Sequence, residues 1–217
     1  PAPEYRRRRL YRHVTAPCPE RFQRQPIINI RKSAMPRIKP LAPAEMDAAQ
    51  RKFHDHIMAG PRGSMGGPFQ AWIHSPDFAD RAQKVGEYCR FNSALEPRLS
   101  ELAILITARQ WTAQFEWFAH APMALEGGLS AEIIEALRQR RMPVFAQADE
   151  AAIYDFCTEL YRESRVSDAT YEATKTQLGE QGVVDLVGIL GYYAMVSMTL
   201  NVFEMPLPDG VEPPLEP

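Results

Sequence analysis

Cysteine is scarce in this 217-residue sequence, and its three copies form no recognisable pair. Cys18, Cys89 and Cys157 lie far apart, so the sequence contains neither a CxxC motif nor the ligand spacing of a structural zinc site. We therefore expect no disulfide framework and no structural metal. Unpaired, buried thiols are typical of proteins in a reducing compartment, which predicts a cytoplasmic protein.

Signals for nucleotide and membrane binding are also absent. Residues 60–68 (GPRGSMGGP) are rich in Gly and Pro, but they lack the Gly-Lys-Ser/Thr ending of a phosphate-binding loop. The longest apolar stretch, Val183 to Phe203, is interrupted by Asp185 and by small or polar residues. That pattern favours a buried helix over a membrane span, and no secretory apolar region is present at the start. We expect no contact with a membrane.

The net charge of −2 conceals a strong asymmetry along the chain. Residues 1–34 contain nine Lys or Arg and two Glu, a net charge of about +7, and the remaining 16 basic and 25 acidic residues give about −9. The acidic body has no nucleic-acid footprint. The Pro- and Arg-rich start predicts an extended or disordered arm over 1–34, with a transit peptide or a strap on a neighbouring subunit as alternatives. Residues 35–217 are predicted to form the folded domain.

Helical periodicity extends over the rest of the chain, and no convincing run alternates with a period of two. The segment that begins at Pro97 is apolar around its whole axis, which predicts a deeply buried helix. One side of the helix before it is predicted to carry Phe78, Ala82, Val85, Tyr88 and Cys89. The fold class is therefore all-α, a bundle with predicted helices at 43–59, 76–95, from 97, 112–126, from 131, 148–164, 167–179 and 182–204.

Chemistry-bearing residues concentrate between Arg98 and Gly128. Glu116 and His120 are four residues apart and share one helix face, so they can form a hydrogen bond. Glu101 lies on the helix that is otherwise apolar, where a buried carboxylate needs a partner or a proton. Two carboxylates and an imidazole in one apolar pocket can transfer protons near neutral pH without a cofactor. The alternatives are an ordinary surface Glu–His pair and a solvent-facing Glu101.

This segment resembles the core of the carboxymuconolactone decarboxylase family, within the alkylhydroperoxidase D-like superfamily. The resemblance is carried by a helix with Glu101, a helix with His120, the Gly-Gly-Leu-Ser sequence at 127–130, and the closing segment DLVGILGYYAMVSMTLNVFEMPLPDG. It implies a helical bundle and a homo-oligomer, either a trimer or a hexamer.

The resemblance also separates two branches of the superfamily. Members of the peroxidase branch carry a pattern similar to Glu-x11-Cys-x-His-Cys-x3-His. When this pattern is aligned from Glu101, Ala113 and Glu116 occupy its two Cys positions. Because peroxide reduction of that type needs a thiolate, alkylhydroperoxidase activity is the disfavoured alternative. A non-catalytic helical oligomer that binds a small molecule is a further alternative.

The decarboxylase branch remains, with a Glu-Trp-x-x-His signature at 116–120. It implies a cofactor-independent lyase or isomerase that acts on a small carboxylated or lactone-like substrate, with Glu101, Glu116 and His120 as its acid–base groups. An Arg near the pocket would hold a substrate carboxylate, because the guanidinium fork matches that geometry. The candidate substrate-binding residues are Arg98, Arg109, Trp111 and Asn201.

Overall fold

The computed structural model describes Pro36–Pro217; the predicted arm at 1–34, with Cys18, lies outside these residues. The described residues contain eight α-helices and no strand, so the all-α prediction is confirmed. A 3-10 turn, Pro43–Glu45, precedes the first helix. The helices are α1 (Ala48–Ala59), α2 (Phe69–Trp72), α3 (Pro76–Phe91), α4 (Pro97–Gln110), α5 (Gln114–Glu126), α6 (Ala131–Arg138), α7 (Ala148–Glu163) and α8 (Asp168–Val202).

Helix ends follow local capping chemistry, and this explains where the predicted boundaries were wrong. The Asp47 carboxylate accepts a hydrogen bond from the Gln50 backbone amide, and the Gln50 side-chain oxygen accepts one from the Asp47 backbone amide. Helix α1 therefore begins at Ala48 rather than at Pro43. Helix α3 ends at Phe91 instead of 95, and the short α2 was not predicted. Ser130 caps α6 as expected, accepting from the Ile133 amide at 3.2 Å.

Helix α4 is the centre of the domain, packing against α5, α6, α7 and α8. Every residue from Leu99 to Arg109 is buried, which confirms the prediction of an all-round apolar, enclosed helix. Each fully buried Leu or Ile contributes about 1.5–3 kcal/mol of hydrophobic stabilisation. The consequence for function is that Glu101 lies on the most enclosed helix of the fold.

Helix α8 is long and apolar enough to cross a membrane by length and composition alone. However, 56% of its apolar window is buried within the protein, and the helix packs against α3, α4 and α7. Its buried Asp185 accepts hydrogen bonds from the Tyr88 hydroxyl at 3.0 Å and from the Ala94 amide at 2.8 Å. Gly179 has φ 71°, a break between the two helices predicted at 167–179 and 182–204. These contacts are those of a core helix.

The outer face of α3 differs from the sequence prediction. Ala82 and Cys89 are buried as part of the inner face, but Phe78, Val85 and Tyr88 are at least 43% exposed. The apolar residues of α3 therefore lie on two faces of the helix rather than on one. Among residues 36–217, only one of those faces packs against the core.

Candidate active site

The three predicted acid–base residues meet in the interior of the domain. His120 Nδ1 lies 2.7 Å from Glu101 Oε2, and His120 Nε2 lies 3.0 Å from Glu116 Oε1. Their exposed fractions are 5% for His120, 7% for Glu101 and 4% for Glu116. The ring is thus held between two carboxylates on neighbouring helices, an arrangement we call the Glu–His–Glu cluster.

The positions of these side chains follow from the local sequence. Glu101 is delivered by α4, which packs directly against α5. Glu116 lies in the first turn of α5, where the helix dipole stabilises a negative charge. His120 follows one turn later on the same face. Packing of α4 on α5 therefore closes the cluster from both sides of the imidazole ring.

The imidazole ring of His120 carries an additional proton, so that it is charged beside the two carboxylates. Both ring nitrogens face carboxylate oxygens, but a neutral imidazole has only one N–H to donate. Burial lowers the pKa of His120, but the charges of Glu116 and Glu101 and their hydrogen bonds outweigh it and raise the pKa to about 9. At neutral pH the ring is an imidazolium that donates to both carboxylates.

Tyr193 also contacts the cluster, and no motif or spacing in the sequence marked it as a site residue. Its ring lies edge-on to the His120 ring, with centroids 5.1 Å apart and an interplanar angle of 85°. Burial, followed by the charges of Glu116 and Glu101, raises the pKa of Tyr193 well above its ordinary value. The phenol therefore stays protonated. Its only sequence signal was the Tyr192-Tyr193 pair in the closing helix.

Arg98 and Arg109, the predicted carboxylate-binding residues, are engaged elsewhere. Arg98 forms ion pairs with Asp149 at 2.7 Å and with Glu150 at 2.8 Å. Arg109 donates to the Glu216 carbonyl at 2.8 Å, and burial, aided by neighbouring arginines, lowers its pKa to about 10. Neither guanidinium has a contact with the Glu–His–Glu cluster.

Trp111 and Asn201, the other two predicted substrate-binding residues, contact each other. The Asn201 amide donates to the Trp111 carbonyl at 2.8 Å, which ties the end of α8 to the end of α4. Asn201 is exposed, and Trp111 is 39% exposed. The structure thus brings this pair together at the surface, separate from the cluster.

The described cysteines lack the properties of a redox site. Burial is the main cause that raises the pKa of Cys89 to about 11, and complete burial raises the pKa of Cys157 further. Ala113 is fully buried directly before α5. Within residues 36–217, no group of three His, Cys, Asp or Glu side chains is arranged to hold a metal ion.

A cavity of about 300 Å³ lies on the far side of an aromatic chain from His120. Trp72 forms one wall of the cavity. The centroid of its ring lies 6.2 Å from that of Tyr192, and the Tyr192 centroid lies 5.2 Å from that of Tyr193. Trp72 also donates from Nε1 to the Thr199 hydroxyl at 3.0 Å. The cavity is lined by Ile38, Ala71, Trp72, His74, Ser75, Phe78, Thr199 and Phe203.

Comparison with known proteins places this site in a family context. No curated protein matches the sequence. The fold is similar to a solved structure described as an alkylhydroperoxidase AhpD core, an uncharacterized peroxidase-related protein from Ralstonia eutropha JMP134. That match has a TM-score of 0.69 at 14% identity and covers 82% of this chain and 95% of the other, which shows a shared fold. Residues 76–154, which contain the whole cluster, match the family model of the carboxymuconolactone decarboxylase family. The segment that contains the cluster is therefore similar to this family, and the fold is shared with the AhpD core.

Proposed function

We propose that the protein is a cofactor-independent lyase or isomerase that transfers protons on a small carboxylated or lactone-like substrate. The observation that carries this proposal is the buried His120 ring between two carboxylates, at 2.7 and 3.0 Å. Such a cluster contains a proton acceptor and a proton donor in a site from which water is largely excluded. The family match over 76–154 supports an enzymatic role for these residues.

The chemistry follows from the proton inventory of the cluster. A carboxylate of Glu116 or Glu101 accepts the proton of a carbon next to a carbonyl, and the electron pair moves onto the carbonyl oxygen. The imidazolium of His120 then protonates the opposite face of that carbon, or a carbon conjugated with it, as the electron pair on oxygen re-forms the carbonyl, which completes an isomerisation. In a decarboxylation, carbon dioxide leaves without the bonding electron pair, and the cluster supplies the proton that replaces it on carbon.

Peroxidase activity is the weaker alternative, although the structural relative is titled peroxidase-related. A thiol peroxidase needs an accessible thiolate, and Ala113 and Glu116 occupy the positions of the two thiols. Cys89 and Cys157 are buried, with pKa values raised above the ordinary range. Consumption of cumene hydroperoxide by the wild-type protein with dithiothreitol, abolished by thiol blocking, would favour this alternative.

The test uses full-length protein with His120→Gln and Glu116→Gln, and with His54→Gln on α1 as the matched control. Each is incubated in deuterated water with a panel of small 3-oxo acids and carboxylated lactones. Exchange at carbon is followed by proton NMR and release of carbon dioxide by mass spectrometry. Loss of acid–base catalysis is expected to lower the rate by roughly 10²–10⁴-fold in the two cluster variants only. A wild-type rate in His120→Gln would contradict the proposal, and binding without exchange in the wild type would favour a non-catalytic binder.

We further infer self-association through the outer face of α8, as a trimer or hexamer in the cytoplasm. Val184, Val187, Met198 and Val202 form an apolar stripe on this helix, each at least 41% exposed. Contiguous exposed apolar surface of this kind is typical of subunit contacts. Sedimentation velocity is expected to show dissociation for Val187→Glu but not for Gln177→Glu, an exposed control on the same helix. A Val187→Glu protein that sediments as the wild type would contradict this interface.

A further inference from the structure

Two arginines near the cluster lack a carboxylate partner within residues 36–217. Arg62 belongs to the Gly/Pro loop at 60–68, and its Nη2 is buried without a hydrogen-bond acceptor. Arg90 lies in the last turn of α3, and its Nη2 donates only to the thioether of Met123, at 3.0 Å. A thioether is a weak acceptor, so both guanidinium groups keep hydrogen-bonding capacity that these residues do not use.

Both guanidinium groups contact the ring of Phe91, which does not neutralise their charge. The Arg62 guanidinium carbon is 5.2 Å from the Phe69 ring centre and 5.8 Å from that of Phe91. The Arg90 guanidinium carbon is 5.2 Å from the same Phe91 ring. Cation–π contacts of this kind fix the orientation of a guanidinium and leave its N–H groups available. Phe91 is 45% exposed, so solvent reaches this ring.

Gly86 allows Arg62 to approach the closing helix. A Cβ atom at Gly86 would lie 2.1 Å from the Tyr192 hydroxyl oxygen and 2.8 Å from Arg62 Nη2. Those two polar atoms are therefore at most 4.9 Å apart, in space that only a glycine leaves open. A hydroxyl and a guanidinium N–H thus converge beside α3.

The arginine pair is adjacent to the Glu–His–Glu cluster. Met123, which Arg90 contacts, lies three residues after His120 and seven after Glu116, on the same face of α5. Three residues correspond to about 5 Å along a helix axis. Burial is the main cause that raises the pKa of Tyr192 to about 12; the charge of Glu116 adds to it, and those of Arg62 and Arg90 oppose it. The two arginines and the cluster act on the same tyrosine.

We propose that Arg62 and Arg90 bind the carboxylate of the substrate and hold its reacting carbon against the Glu–His–Glu cluster. This inference rests on the proposed function and assigns its substrate class, compounds that carry a free carboxylate. With two carboxylates and one imidazolium, the cluster has a net negative charge that repels an anion. Two guanidinium groups offset that repulsion and supply the fork geometry that a carboxylate requires. The exposed Phe91 ring gives a flat apolar surface beside them.

Calorimetric titration with simple probes tests the pair on the full-length protein. The probes are benzoate and phthalate, with uncharged benzamide as the matched ligand control. The variants are Arg62→Met and Arg90→Met, with Arg81→Met as the protein control, because Arg81 lies on α3 with its side chain 76% exposed. Loss of a charge-assisted contact is expected to weaken carboxylate binding roughly tenfold to hundredfold. Binding to Arg81→Met should equal that of the wild type, and benzamide should bind every variant with the same low affinity.

The outcomes separate this inference from the proposed function. The proposed role of the arginine pair is overturned if carboxylate binding is unchanged in both Arg62→Met and Arg90→Met, or if the wild type does not bind carboxylates. Carboxylate binding lost in the arginine variants, with full proton exchange in His120→Gln, supports the pair and contradicts the proton chemistry. Should Arg62→Met fail to fold, Arg62→Lys provides the same test, because Lys keeps the charge but loses the planar fork.

Discussion

Raising the pH from neutral to about 9 is expected to remove most of the stability that His120 gives to the folded protein. The folded-state pKa of this residue is raised to about 9, from the ordinary value of 6.5. A group with a raised pKa binds its proton more tightly when folded. Its contribution is therefore complete below about pH 6.5 and is lost as the pH rises through 9.

The size of the effect follows from the same two values. A folded pKa of about 9 against 6.5 corresponds to about 3 kcal/mol of stability. Since domains of this size have a free energy of unfolding of about 5–15 kcal/mol, this single proton is a substantial fraction of the total. Because His120 is only 5% exposed, salt screens its interaction with Glu116 and Glu101 much less than it would at the surface.

Urea unfolding from about pH 6 to about pH 9, at fixed protein concentration, measures this dependence. Proton NMR of the imidazole gives the pKa of His120 on the same samples. In Glu116→Gln, which removes the charge that raises this pKa most, the pH dependence should shrink and the resonance should titrate at lower pH. His54→Gln, a substitution on α1, should leave both readouts unchanged.

A free energy of unfolding that stays constant or increases between pH 6.5 and 9 would refute the reasoning. So would a His120 resonance that titrates at or below the ordinary value of 6.5. Either result would mean that desolvation outweighs the two carboxylates. The cluster would then hold a neutral imidazole, and one of the glutamates would have to carry the shared proton.

Two further substitutions test the packing around the site. Arg98→Met is expected to cost about 3–5 kcal/mol of stability in urea unfolding, because it leaves the buried Glu150, 3% exposed, without its ion-pair partner. Recovery of stability in an Arg98→Met/Glu150→Met double variant would confirm the cause. An unchanged stability in Arg98→Met would contradict it. Gly86→Ala is expected to cost about 1–3 kcal/mol, because its Cβ would lie 2.1 Å from the Tyr192 hydroxyl oxygen; an unchanged thermal midpoint would show that this contact is not close.

Local patterns predicted the parts of the site that lie within one or two neighbouring helices. The all-round apolar character of α4 indicated that Glu101 would be buried, and the i,i+4 spacing placed Glu116 and His120 on one face. Pro97 and Ser130 marked helix starts that the structure shows. These features depend on residues a few positions apart, so helix starts, shared helix faces and burial can be predicted from a single sequence.

Contacts between distant segments were out of reach of the same reasoning. Arg98 was a candidate for substrate binding because its type and position suited that role, but Asp149 and Glu150 on α7 engage it. Arg62 and Tyr193 were not selected, because a loop arginine and a core tyrosine have no distinctive spacing. Tyr193 reaches His120 only because α8 packs against α5, and Arg62 reaches the same region only because its loop folds against α3.

The position of Glu116 explains how one scaffold can support two kinds of chemistry. In the peroxidase branch that the sequence resembles, a cysteine occupies this position, and the first turn of α5 would stabilise a thiolate there. The same helix terminus stabilises the Glu116 carboxylate, which is 4% exposed and hydrogen-bonded to His120 at 3.0 Å. A carboxylate accepts a proton but cannot be oxidised to a disulfide, the reaction by which a pair of cysteines reduces a peroxide. The exchange of sulfur for oxygen therefore agrees with the proposed proton transfer. In the proposed reaction, the electrons released at carbon are accepted by the substrate itself, through a carbonyl or lactone group next to the reacting carbon.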